Sequence, residues 1–193
     1  MGKYIDELNK NKKLKKEKKL IDYKWILKIS IIAFTLSIVF SLLSETVMPK
    51  VNLCVGIIIL ILFIGIGIMF DMVGVAVTAA EETPFHSMAA RKVRGAKVAV
   101  KFKKNAAQVS SFCNDVIGDI CGIVSGSTGA ILAITISNSL QVDALLVSLL
   151  VTALIAALTI GGKAMGKGFA VNKSNIILFE FSKVVSLFYN PKK

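Results

Sequence analysis

Four apolar blocks, each long enough to cross a lipid bilayer, dictate what this chain can fold into. They run from Trp25 to Met48, from Val51 to Ala80, from about Ala106 to Ile136 and from about Ala144 to Gly161. A helix rises about 1.5 Å per residue, so about 20 apolar residues cross a hydrocarbon layer about 30 Å thick. Composition agrees, with 54% hydrophobic residues and a mean hydropathy of +0.70, while the charged residues fall almost entirely outside the blocks. A soluble domain does not segregate charge in this way. The expected fold class is therefore all-α, a multi-pass membrane helical bundle of four predicted spans followed by a C-terminal amphipathic interfacial helix.

The segments between the blocks set the topology. Residues 1–24 form a lysine-rich N-terminal segment, followed by a first span over 25–48. That span is too long for the apolar core of a secretory signal and ends at Glu45 and Pro49 rather than at a small-residue cleavage site, so it is expected to stay uncleaved. Lysine and arginine crowd the N-terminus, the loop 91–104 and the tail 163–193, whereas the other two loops carry only Lys50. The positive-inside rule then places both termini in the cytoplasm of a cell-membrane protein. The formal net charge of +12 is read as membrane orientation and attraction to anionic lipid headgroups, and nucleic acid is not an expected partner. In the tail 171–193, the apolar residues Ile177, Phe181, Val184, Val185 and Phe188 recur at helical spacing. They predict an amphipathic helix on the inner membrane face, with packing on a partner domain as the alternative.

Within the third block the stretch CNDVIGDICG, residues 113–122, sets Asp115 and Asp119 in an apolar context. Counted inward from the flanking polar residues, Asp71 in the second block and Asp115 in the third both lie roughly 15 Å deep. Asp119 is one helical turn beyond Asp115 on the same face, and Asn114 adds a neutral oxygen. A charged side chain at the bilayer centre costs at least about 2.5–3.5 kcal/mol, so such acids are expected to face the bundle interior and meet a cation, a proton or a basic partner. Carboxylates, amides and the hydroxyls of Ser110, Ser111, Ser125 and Ser127 are the oxygen types that hard cations such as Mg²⁺ accept. The competing reading pairs the aspartates with Lys163, or protonates them, so that they only brace the bundle. A third possibility is that part of the block is interfacial or re-entrant and the acids are wet. Gly118, Gly122 and Gly126 repeat every four residues and predict a helix-packing stripe. Cys54, Cys113 and Cys121 have neither disulfide nor zinc spacing, and the single His86, with no second histidine in the chain, is expected to be a surface residue without a role.

From Phe70 to Ala170 the chain resembles the membrane domain of the CorB/CorC and cyclin-M family, proteins implicated in Mg²⁺ transport. The likeness follows the family's order of motifs. Phe70-Asp71-Met72-Val73-Gly74 stands where the family usually reads Phe-Ser-Gly-Ser-Glu, and the basic elbow RGAKVA follows. Either Gly118-Asp119 or Cys113-Asn114 matches the family's Gly-Asn pair. Gly162-Lys163-Ala164-Met165-Gly166-Lys167 resembles Gly-Glu-x-x-Pro-Lys, with lysine at the glutamate position and glycine at the proline position. The resemblance implies a CorC/cyclin-M-like transmembrane domain over 51–170, preceded by an extra span and lacking the regulatory cytoplasmic domains of typical members. It also implies an ion site drawing on all three motifs, here Asp71, Asn114, Asp115 and Asp119 as candidate ligands for transported Mg²⁺. Lys163 would be a counter-charge that could occupy the cation's place. Together with the glycine stripe, the resemblance favours a homodimer. The expected function is divalent-cation transport or a diverged relative of it, and the alternative is a non-transporting membrane scaffold or accessory subunit. No catalytic residue is expected, because the chain has no GxSxG, HExxH, Walker loop or Cys/His pair, and no organic cofactor is implied.

Overall fold

A computed structural model describes residues 23–189, which are almost entirely helical. The lysine tract of residues 1–22 and residues 190–193 lie outside the described residues, so expectations for them have no structural counterpart here. In chain order the helices are α1 (Tyr23–Val47), α2 (Leu53–Ala79), α3 (Thr83–Ala90), α4 (Ala96–Lys104), α5 (Ala106–Ser111), α6 (Asp119–Leu140), α7 (Ala144–Asn172) and α8 (Ser174–Phe188). A short 3-10 turn, Met48–Lys50, follows α1, and a π-helical turn, Phe112–Gly118, joins α5 to α6.

Four helical stretches are long and apolar enough to cross a membrane: Tyr23–Lys50, Leu53–Ala79, Ala106–Leu140 and Ala144–Asn172. The first three match the expected blocks closely. The fourth runs eleven residues past Gly161, because its glycines do not end the helix. Gly162 and Gly166 face α2 instead, where an added Cβ would overlap Ile68 and come within 2.8 Å of Met72 Cγ. With Ala170, fully buried four residues later, they form the small-residue stripe on which α2 and α7 close.

The bundle has two unlike ends. At one, short connections join α1 to α2 and α6 to α7, the second closed by Gln141 in a left-handed conformation (φ 54°) and by Asp143, whose carboxylate accepts from Leu145 N–H at 2.7 Å. At the other, α3, α4 and α8 gather around the last turns of α2. Phe85, Val77 and Leu178 are fully enclosed there, with Ala99 and Cys113. This basic end is cored like a small soluble domain, while much of α1 and α7 exposes leucine, isoleucine and phenylalanine to the surroundings. Such a wide apolar surface is what lipid solvates.

α6 is the central span. Leu132 meets Leu60, Ile64 and Ile155 from α2 and α7, and on its other side Ile120 and Val124 meet residues of α1. A buried hydrogen bond between Ser44 and Thr128, at 2.9 Å, ties α1 to α6. α8 packs Leu178 and Ser182, both fully buried, on the bundle and turns Val184 and Phe188 outward. Of the predicted apolar stripe, Ile177, Phe181 and Val185 face the protein rather than lipid. The helix is amphipathic as expected, but its partner is the chain's own basic end.

Candidate functional site

The buried carboxylate of the spans lies where α2, the π-helical turn and α7 meet. Three glycines on α2 bring the π-helical turn and α6 close to it: a Cβ at Gly56 would come within 2.6 Å of Leu132, one at Gly67 within 3.1 Å of Cys121 Cβ, and one at Gly74 would overlap the Asn114 carboxamide. Asp71 lies between Gly67 and Gly74, four and three residues from them, on the same side of the helix. It is 4% exposed, and α7 reaches it from the Gly162/Gly166 side.

Two lysines of α7 flank that carboxylate. Lys163 Nζ is 3.8 Å from Oδ1 and Lys167 Nζ is 3.9 Å from Oδ2. Lys163 is the more enclosed, at 23% side-chain exposure against 55% for Lys167. Both distances are those of ion pairs rather than of direct hydrogen bonds. Asp71 Oδ2 and Asn114 Oδ1 are buried without a hydrogen-bond partner, while Asn114 Nδ2 donates to Ser110 Oγ at 3.4 Å. The site thus combines one carboxylate, one amide oxygen and two ammonium groups, a net charge of +1.

Asp115 and Asp119 do not join it. Both are exposed, and Asp115 accepts a 2.5 Å hydrogen bond from Ser111 Oγ, four residues earlier in the chain. Among the described residues no ion pair or hydrogen bond links either acid to Asp71, Lys163 or Lys167, and no group of three or more His, Cys, Asp or Glu side chains has metal-binding geometry. Rotation about the helix axis gives the physical reason. Asn114, Gly118 and Cys121 recur at helical spacing and face α2, while Asp115 and Asp119, each one residue further round the winding, point away from it.

The depth estimate also shifts. From their ends at the short connections, Asp71 lies about 27 Å along α2, Lys163 about 28 Å along α7 and Asp119 about 32 Å along α6. With a hydrocarbon layer of about 30 Å these groups sit near its basic-end boundary, not at mid-membrane. Counting from the polar flanks misleads because the last turns of α2 are wrapped by α4 and α8 and extend past the apolar layer. Lys28, about 28 Å along α1 from Val47, belongs to the same polar band.

The expected glycine stripe divides. Gly118 is buried and a Cβ there would lie 3.6 Å from Lys163 Nζ, but Gly122 and Gly126 face open space. With Asp115, Asp119, Ile123 and Ala130 they form one exposed face of α6. The stripe that packs within the chain is Gly162/Gly166/Ala170, which has the same four-residue spacing and was legible in the sequence. Outside the spans, His86 Nε2 meets Glu82 Oε1 at 2.9 Å on the surface. That hydrogen bond holds the Glu82 carboxyl below its ordinary range.

Fold and site together define a helical membrane protein with a lysine-flanked carboxylate between three of its helices. No family model, curated protein or solved structure matches the chain.

Proposed function

We propose that this is an integral protein of the cell membrane, with both termini cytoplasmic, that acts as a non-transporting scaffold or accessory subunit. The observation that carries this reading is Asp71 set between Lys163 and Lys167. A divalent cation entering there would displace or repel two ammonium groups, and Mg²⁺ dehydrates reluctantly even for an all-oxygen site. The likeness to the CorB/CorC and cyclin-M membrane domain then marks a diverged relative whose cation position is filled by its own lysine. The cytoplasmic assignment rests on Arg91, Arg94, Lys97, Lys101, Lys103 and Lys104 at one end, against Lys50 at the other. The open α6 face supports a homodimer, since small residues at four-residue spacing allow close helix approach.

A second reading, transport of Mg²⁺, is favoured by one observation: Asp71 Oδ2 and Asn114 Oδ1 are buried acceptors without donors. Mg²⁺ uptake into proteoliposomes separates the two. The scaffold reading expects wild-type flux at the level of empty vesicles. Flux above that level, lost in Asp71→Asn, would establish transport and end the scaffold reading.

A further inference from the structure

Two neighbouring cavities away from the ion pair share the rings of Phe70 and Phe112 in their walls. The larger, about 480 Å³, opens at the basic end among α4, α5 and α8, beside Trp25. The smaller, about 270 Å³, continues toward the short connections between α1 and α2, lined by Leu36, Phe40 and Ile66 among others. The path exists because α1 leans on α6 rather than on α2, touching α2 through the edge-to-face pair Phe40 and Phe63 (6.3 Å between centroids).

The chemistry changes along this path. Lys101, Asn105 and Gln108 stand at the basic-end opening, and beyond Phe70 and Phe112 the wall is apolar side chains and the Cys121 thiol. Lys101 is held at the rim by its 2.6 Å hydrogen bond to Tyr189 Oη. Among the described residues neither cavity has an acidic side chain in its wall, and α4 and α5 contain none. The larger volume falls within the range of about 300–1,000 Å³ usual for small-molecule sites. A polar, cationic mouth at the membrane boundary leading to an apolar slot within the hydrocarbon layer fits one class of molecule abundant around the protein.

We propose that this path binds a phospholipid of the surrounding leaflet with an anionic headgroup, its phosphate at Lys101 and one acyl chain running past Phe70 and Phe112 into the α1–α2 cleft. A headgroup bearing its own cation would find no carboxylate among the described lining residues, so the site selects anionic over zwitterionic lipid. This inference does not depend on whether the protein transports ions.

Trp25 is the only tryptophan of the chain and lines the larger cavity, so its fluorescence reports occupancy directly. The full chain in detergent is titrated with phosphatidylglycerol or phosphatidylcholine carrying brominated acyl chains, which quench on contact. Phosphatidylglycerol is expected to quench saturably, at a half-quenching concentration about fivefold lower than phosphatidylcholine, the factor one interfacial lysine provides. Lys101→Gln should erase that difference and Lys101→Arg should keep it. Val109→Phe, which fills the cavity from its rim, should weaken quenching by both lipids with the helical circular dichroism unchanged. Equal quenching by the two lipids, or a preference that survives Lys101→Gln, would overturn the proposal. So would quenching that emerges only when residues 2–22 are deleted, which would assign the path to the chain's own N-terminal segment.

Discussion

Lys163→Met tests whether the α7 lysine is the internal partner of Asp71. At the observed 3.8 Å, two unit charges attract by about 4 kcal/mol at an effective dielectric constant of about 20. Removing one member of a buried pair typically costs about 3–5 kcal/mol because the other charge is left uncompensated. Here Lys167 remains 3.9 Å from the second carboxylate oxygen, but it is half exposed and therefore screened. The expected loss is about 2–4 kcal/mol, after allowing for Lys167 to move inward. For a chain of 193 residues that lowers the melting temperature by about 5–15 °C. Purified protein in detergent, followed by circular dichroism on heating, gives the readout. Asp71→Asn combined with Lys163→Met removes both charges and should recover most of the loss, since an absent pair costs far less than half of one. A single Lys163→Met variant that melts with or above the wild type would refute the ion-pair argument. Tighter Mg²⁺ binding by that variant would instead restore the cation-site reading.

Three further outcomes follow from the packing. Gly74→Ala places a methyl group on the Asn114 carboxamide and should destabilise the bundle by about 1–3 kcal/mol, whereas Gly65→Ala meets nothing within 4 Å and should be neutral or slightly stabilising in the same melt. Gly126→Leu points into open space, so the melting of the isolated chain should hold within about 0.5 kcal/mol while cross-linked dimer is lost; a destabilised monomer would show that the α6 face is not open. Gly95→Ala combines a left-handed backbone (φ 87°) with a Cβ 2.9 Å from Lys183 Cα. It should undock α8 from the elbow and speed trypsin cleavage at Arg91 and Arg94, and unchanged cleavage would contradict that contact.

Much of the architecture was legible because hydropathy acts one residue at a time. A run of apolar side chains is insoluble in water wherever it lands, so the four spans and the amphipathic character of α8 could be read directly. The site was harder. Asp71, Asn114 and Lys163 were singled out by being polar in apolar surroundings, and they do lie around one helix junction. Asp115 and Asp119 were singled out by the same signal, and they stand on the exposed face of the same helical stretch. Residue spacing sorts side chains into faces, but it does not say which face meets the neighbouring helix.

Glycine shows the division most clearly. Two stripes of small residues at four-residue spacing occur, Gly118/Gly122/Gly126 and Gly162/Gly166/Ala170, and spacing alone ranks them equally. By itself the sequence determined that helices would form, how many could cross a membrane and which end would be basic, since these depend on side-chain solvation and local backbone bonding. Only the tertiary structure decided that the second stripe closes on α2, and so which lysines stand against Asp71. Close approach is a property of two surfaces at once, and a one-dimensional pattern describes only one of them.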